Sequence, residues 1–236
     1  MTKLYKFRDF NKGSLELLIN KQLWFASPAT LNDPFEAESS YESVLEAVWA
    51  EYPFPQDQQE AYKRILDQQL EKTGICSFCK TKKNQLMWAH YANEHKGLCI
   101  GFNESKLLET NQYLYPIEVT YQADYPYQDI IDRFKYFQAI PGANNKDSIA
   151  GDIMYSVLGT KYTHWAYEKE RRLLRHQFGA VDFLPSAVTD ITFGLRMSER
   201  NIETVKRLLS TDEWNHVKFY KAVKSKKKYA LEFKKI

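Results

Sequence analysis

No apolar run in these 236 residues approaches the roughly 18 that cross a bilayer, and Met1 to Asn20 has no apolar stretch leading to a cleavage site. The expectation is a cytoplasmic protein with no membrane partner. Cysteine is scarce, and Cys76, Cys79 and Cys99 suit a compartment where thiols stay reduced. Cys76 and Cys79 form a CxxC, but no second pair completes a four-ligand zinc site. If the segment is a strand, residues three apart point to opposite faces, so free buried thiols are favoured. Glycine-rich phosphate loops, GxSxG elbows, HExxH pairs, internal repeats and low-complexity tracts are all missing. His90 and His95 are five apart, which rotates them away from each other on a helix. A metal site would have to recruit Asp33 or Glu36 from elsewhere, so no metal is expected.

What the chain does have is apolar and aromatic bulk. A hydrophobic share of 44%, with 16 tyrosines and 14 phenylalanines, implies an ordered globule, and the length favours one domain over residues 1–236. The net charge of +3 says little, but its distribution is uneven. Asp33 to Glu71 is acid-rich, whereas His216 to Ile236 carries Lys218, Lys221, Lys224, Lys226, Lys227, Lys228, Lys234 and Lys235. Those lysines could attract the phosphates of a nucleic acid. A solvated pair of strands whose lysines protect a sheet edge is the favoured alternative.

Periodicity predicts strand, helix and strand over Leu4–Arg8, Ser14–Lys21 and Leu23–Ala26. The prolines of Ser27 to Glu36, SPATLNDPFE, force turns, and loops between packed elements carry binding residues, so Asn32, Asp33 and Glu36 are candidates. Two helices, Glu42–Trp49 and Gln56–Lys72, are split at Tyr52–Pro55 and ended by Gly74. They form an acidic helical insertion, residues 37–74, beside the sheet. Further strands are expected at Ile75–Cys79, Leu98–Phe102, Tyr115–Tyr121, Ala180–Leu184, Val188–Phe193, Val217–Ala222 and Tyr229–Phe233. Helices are expected at Asp129–Gln138, Ile149–Gly159 and from Ser198 to Leu209, with a loop at Pro141–Lys146. Without the steady alternation of a doubly wound sheet, the class is α+β: a mixed, mainly antiparallel sheet flanked by helices.

Chemistry concentrates in two segments. In Asn84–Phe102, NQLMWAHYANEHKGLCIGF, Asn84 is a natural N-cap. Trp88, Tyr91, Ala92 and His95 share a helical face, and Gly97 reads as the stop. In Tyr162–His176, YTHWAYEKERRLLRH, a strand would put His164, Glu168, Glu170 and Arg172 on one side, where successive same-face residues sit roughly 6.8 Å apart. A helix would reduce Glu168 and Arg172 to a surface pair. The aromatic start favours the strand.

These clusters, LYKFR, SPATLNDPFE, CSF with LMWAHYANEHKGLCIGF, WAYEKERRL and ITFGLRMSE, resemble a bacterial family catalogued as a domain of unknown function and met in phage-defence contexts. The resemblance spans most of the chain. Cys79 stands where such proteins often carry serine, and Arg171 where an aromatic is usual. The order of clusters also resembles the NAD-using ADP-ribosyltransferase group. That likeness implies Arg8 on the diphosphate of NAD, His90 or Tyr91 on the nicotinamide side, and Glu168 or Glu170 as the late glutamate. Beside them, Asn32, Asp33, Trp88 and Arg172 are the remaining candidates for holding the cofactor. A macromolecular acceptor or nucleotide would be the partner. Two alternatives of other classes stand: a nucleic-acid or nucleotide sensor using the C-terminal lysines, and a protein-interaction module using the helical insertion.

Overall fold

In the computed structural model, residues 2–33, 35–36, 38–51, 53, 55–139 and 146–236 are described. In chain order these form β1 (Lys3–Arg8), α1 (Lys12–Ile19), β2 (Gln22–Phe25), α2 (Glu38–Glu51), α3 (Gln56–Lys72), β3 (Gly74–Cys79), α4 (Gln85–Tyr91), β4 (Leu98–Asn103), α5 (Glu104–Glu109) and β5 (Tyr115–Glu118). There follow β6 (Thr120–Gln122), α6 (Tyr127–Ala139), α7 (Lys146–Leu158), β7 (Thr160–Tyr162), β8 (Glu170–Arg175), β9 (Gly179–Asp182), β10 (Val188–Phe193), α8 (Glu199–Leu208), β11 (Lys218–Lys224) and β12 (Leu231–Lys235). The breaks expected at Tyr52–Pro55 and Pro141–Lys146 include residues 52, 54 and 141–145, which lie outside the described residues. No helix among the described residues is long and apolar enough to cross a membrane.

An eight-stranded sheet, in the order β12-β11-β10-β4-β1-β3-β8-β5, organises the molecule. All neighbours run antiparallel except β10 and β11. The class is therefore α+β with a mixed, mainly antiparallel sheet, as the pattern of elements implied. Strand alternation helps divide the core into three clusters, one of them formed by Phe7, Cys79, Met87, Trp88, Ala92 and Cys99 around α4. Leu4, Phe78, Ile100, Leu173 and Ile191 join Leu17, Leu18, Ile202 and Val205 of α1 and α8 in one cluster. Ile75 and Leu174 pack instead with Val44, Leu66, Phe134 and Ile153 of α2, α3, α6 and α7. The acidic pair α2–α3 thus shares a core with α6 and α7, while its charged side chains from Glu42 to Lys72 are exposed.

The sheet is not uniformly knit. β1 pairs with β4 along all of Lys3–Arg8, but with β3 only at Tyr5 and Cys79. Further along, β3 takes its contact from Ala26, which bridges Ile75. Between these two points β1 and β3 part, and the Lys6 ammonium donates to the Ser77 carbonyl at 2.9 Å across the seam.

The structure departs from the sequence expectations around the chemistry-bearing segments. α4 begins as expected, with the Asn84 side chain accepting from the Leu86 amide, but it ends at Tyr91. Asn93, Glu94 and His95 then adopt φ of 45°, 52° and 71°. Such backbone costs about 1–2 kcal/mol per residue outside glycine. It is held by amide bonds from Glu94 to Ala89 O and from His95 to Trp88 O, and by the His95 ring stacked on Trp88. Gly97 is consequently not a left-handed stop. A Cβ there would come within 2.2 Å of the Arg8 carbonyl, so its glycine permits the return strand to approach β1. The run Tyr162–His176 is not one strand: Thr163–Glu168 is a 3-10 turn and β8 starts at Glu170. Tyr115–Tyr121 divides into β5 and β6, and Gly74 opens β3 rather than closing α3, whose cap is Thr73.

Candidate functional site

At the seam lies a cavity of about 190 Å³, into which six elements bring polar side chains: Arg8 from β1, Asn32 and Glu36 from the loop after β2, Tyr91 from α4, Lys161 from β7, Glu168 from the 3-10 turn, and Glu170 and Arg172 from β8. The local backbone explains the convergence. Glu170 and Arg172 share a face of β8 by alternation. Glu168 ends the preceding turn, and Lys169 between them takes the left-handed conformation, φ 46° and ψ 52°. That single reversal turns Glu168 back to the side of Glu170.

Glu168 and Glu170 are each 4% exposed and Glu36 8%, and their charge is answered within the cavity. Arg172 forks onto Glu170 through Nε at 2.8 Å and Nη2 at 3.0 Å, and reaches Glu36 Oε2 at 2.7 Å and the Leu158 carbonyl at 2.7 Å. Lys161 stands between all three acids: 2.7 Å from Glu168, 2.9 Å from Glu36 and 3.4 Å from Glu170. Three carboxylates against two cations leave the cluster at −1. Burial pushes the Glu170 carboxyl up, but Arg172, then Lys161, outweigh it and bring it from its ordinary 4.5 to about 2. For Lys161 burial works against the charged form, and Glu170, Glu36 and Glu168 together more than reverse it, holding the ammonium well above the usual lysine range. Tyr91 donates to Glu168 Oε1 at 2.5 Å and accepts from Asn32 Nδ2 at 3.1 Å. Burial, then the bond to Glu168, pushes its phenol up, so it remains a donor.

Not every sequence candidate belongs here. Trp88 is fully buried, set edge-on to Phe7 at 5.1 Å, with its indole N–H donating to the Lys82 carbonyl; it packs the core and offers no face to a ligand. His90 is exposed on the outer side of α4, with the rings of Tyr91 and Tyr167 just over 6 Å away, and does not line the cavity. Asp33 is buried with its carboxylate accepting from the Phe35 amide, and faces a neighbouring cavity instead. Arg172 is present, but its donors are committed to Glu36, Glu170 and Leu158, so it positions the acids rather than holding a ligand. Arg8, Asn32, Tyr91, Glu168 and Glu170 are brought together.

Lys161 is the residue that sequence reasoning missed. Alone in a short strand with no acid within three residues, it reads as an ordinary exposed lysine, yet it is 4% exposed. The signal available was its distance of seven residues from Glu168, too long for a local pair to be inferred. Among the described residues no group of three or more His, Cys, Asp or Glu side chains is disposed to hold a metal ion. The C-terminal lysines lie on β11, β12 and the turn between them, at the open edge of the sheet.

Residues 87–173 match the family described as Protein of unknown function (DUF2971). Over this segment, 87 of the 236 residues, the chain is similar to a domain of unknown function. The match runs from α4 into β8, so it contains Tyr91, Lys161, Glu168, Glu170 and Arg172. Arg8, Asn32 and Glu36, which complete the cavity, come from outside it. No curated protein and no solved structure matches the chain.

Proposed function

We propose that the cavity cleaves an N-glycosidic bond, with NAD as the substrate, in an ADP-ribosyltransferase-like or NAD glycohydrolase-like reaction serving phage defence. The observation that carries this reading is the pair Glu168 and Glu170, fixed in one cavity beside the Tyr91 hydroxyl. In such a reaction the bond between the ribose C1′ and the nicotinamide nitrogen breaks, and nicotinamide leaves with the bonding electrons. The ribose becomes oxocarbenium-like, and a nearby carboxylate stabilises that charge. Water or an acceptor then adds at C1′ and gives up its proton. Of the two acids, Glu170 is tied at both oxygens by Arg172 and serves as positioning residue. Glu168 is the acting one, because no guanidinium fork ties it and its Oε1 accepts from a neutral donor, the Tyr91 hydroxyl. Arg8 supplies a cation at the cavity edge for the diphosphate.

The direct test is nicotinamide release from NAD by the purified 236-residue chain, alone and with lysate proteins and nucleic acid as acceptors. Release is expected under at least one condition. If NAD stays intact under all of them, the reading is wrong.

A further inference from the structure

The first cavity, at about 190 Å³, is below the 300–1,000 Å³ typical of small-molecule sites, so it has room for a reacting ring and little more. A second cavity of about 480 Å³ lies between α1, β2 and the parted strands β1 and β3. Lys6, Arg8, Leu31 and Ser77 line both, so the two meet at the seam. We infer that this second cavity binds the phosphate-bearing half of a nucleotide, with Lys6 and Arg8 on the phosphates and Trp24 against the base. The inference extends the glycosidic reading by assigning a place to the rest of the substrate.

Three observations support it. Lys161 and Arg172, the other cations of the first cavity, each meet two or more carboxylates, whereas Lys6 and Arg8 meet none among the described residues. Among the described residues Lys6 gives one N–H to the Ser77 carbonyl and lies over the Phe78 ring at 5.3 Å, and Arg8 gives only Nε, at 3.3 Å, to the Ser14 hydroxyl. The terminal amino groups of Arg8 therefore remain as a fork of the shape that phosphates take in pairs. The one acid of the lining, Glu16, has Lys12 facing it at 3.6 Å, leaving the cavity cationic. Finally, Trp24 is 62% exposed on β2 at the cavity wall, a large ring held on a strand with a face open to stacking.

Calorimetric titration of the full chain with ADP, pyrophosphate and adenosine tests the site without requiring turnover. ADP is expected to bind about tenfold or more tighter than adenosine, the scale of charge-assisted hydrogen bonds. Lys6→Gln and Arg8→Gln should each weaken ADP and pyrophosphate by about tenfold. Trp24→Ala, at an exposed position where little packing is lost, should weaken ADP by about fivefold or more while leaving pyrophosphate unaffected. Adenosine binding as tightly as ADP, or ADP affinity untouched by Trp24→Ala, overturns the assignment, and so does absence of ADP binding at millimolar concentration. The two readings fail separately. NAD turnover with ADP affinity indifferent to Trp24 removes this site alone. ADP binding that depends on Arg8 and Trp24, in a protein that never consumes NAD, upholds the site and removes the glycosidic reading.

Discussion

Arg172→Met is expected to destabilise the protein by about 3–5 kcal/mol, the cost of removing one member of a buried charge pair. At this chain length that corresponds to a fall in Tm of roughly 6–20 °C. Arg172 is 1% exposed and joins Glu36, Glu170 and the Leu158 carbonyl, so its loss moves a cluster of buried acids from −1 to −2. Arg172→Lys keeps the charge but not the fork, and should lose less. Acid titration gives a second readout. The folded Glu170 carboxyl titrates at about 2, below its ordinary 4.5. Its contribution is therefore fully present above about 4.5, and is lost as pH falls from there through 2. With Arg172 gone, the main cause of that depression goes too, and stability should depend less steeply on pH across this window. A Tm within 2 °C of the parent, measured by calorimetry at neutral pH, would show that the network does not bear on stability.

How far the sequence could be read depended on how local each cause is. Asn84 as a cap, Val188–Phe193 as a strand and Ser198 as a helix start depend on neighbouring residues, and the structure has all three. The α+β class followed from the same local patterns. The cavity was legible only as a set of residue types. Glu168 and Glu170 were expected together because a strand would put alternate residues on one side. They do meet, but through a left-handed Lys169 joining a turn to a strand, which alternation cannot reveal. Lys161 and Glu36 escaped pairing because their contacts cross between elements: Lys161 reaches β8 and the loop after β2, and Glu36 meets Arg172 from 136 positions away. Trp88 shows the converse. An aromatic at helical spacing beside histidines has the composition of a binding face, yet burial decides whether the ring packs or binds. Only the position of α4 over Phe7 settles that for the core.

Glu168→Gln is expected to cut NAD cleavage by about a hundredfold or more, as for loss of a group that stabilises charge only in the transition state. Folding should survive. Neutralising Glu168 takes the cluster from −1 to 0, Lys161 keeps Glu36 and Glu170, and the glutamine carbonyl can still accept from Tyr91. Glu170→Gln presents the opposite balance. It deprives Arg172 of its bidentate partner, leaving Glu36 as the remaining carboxylate on a buried guanidinium, so both Tm and activity should fall. The comparison separates an acting acid from a positioning one: activity lost at unchanged Tm for Glu168, and both lost for Glu170. Tyr91→Phe removes the donor to Glu168 without touching either carboxylate, and should lower kcat more than it raises KM if the phenol orients that acid for the transition state. Nicotinamide release within a few-fold of the parent for Glu168→Gln, with an intact fold by circular dichroism, would transfer the acting role away from Glu168. The cluster would then be a device for closing the sheet around a seam that β1 and β3 leave open.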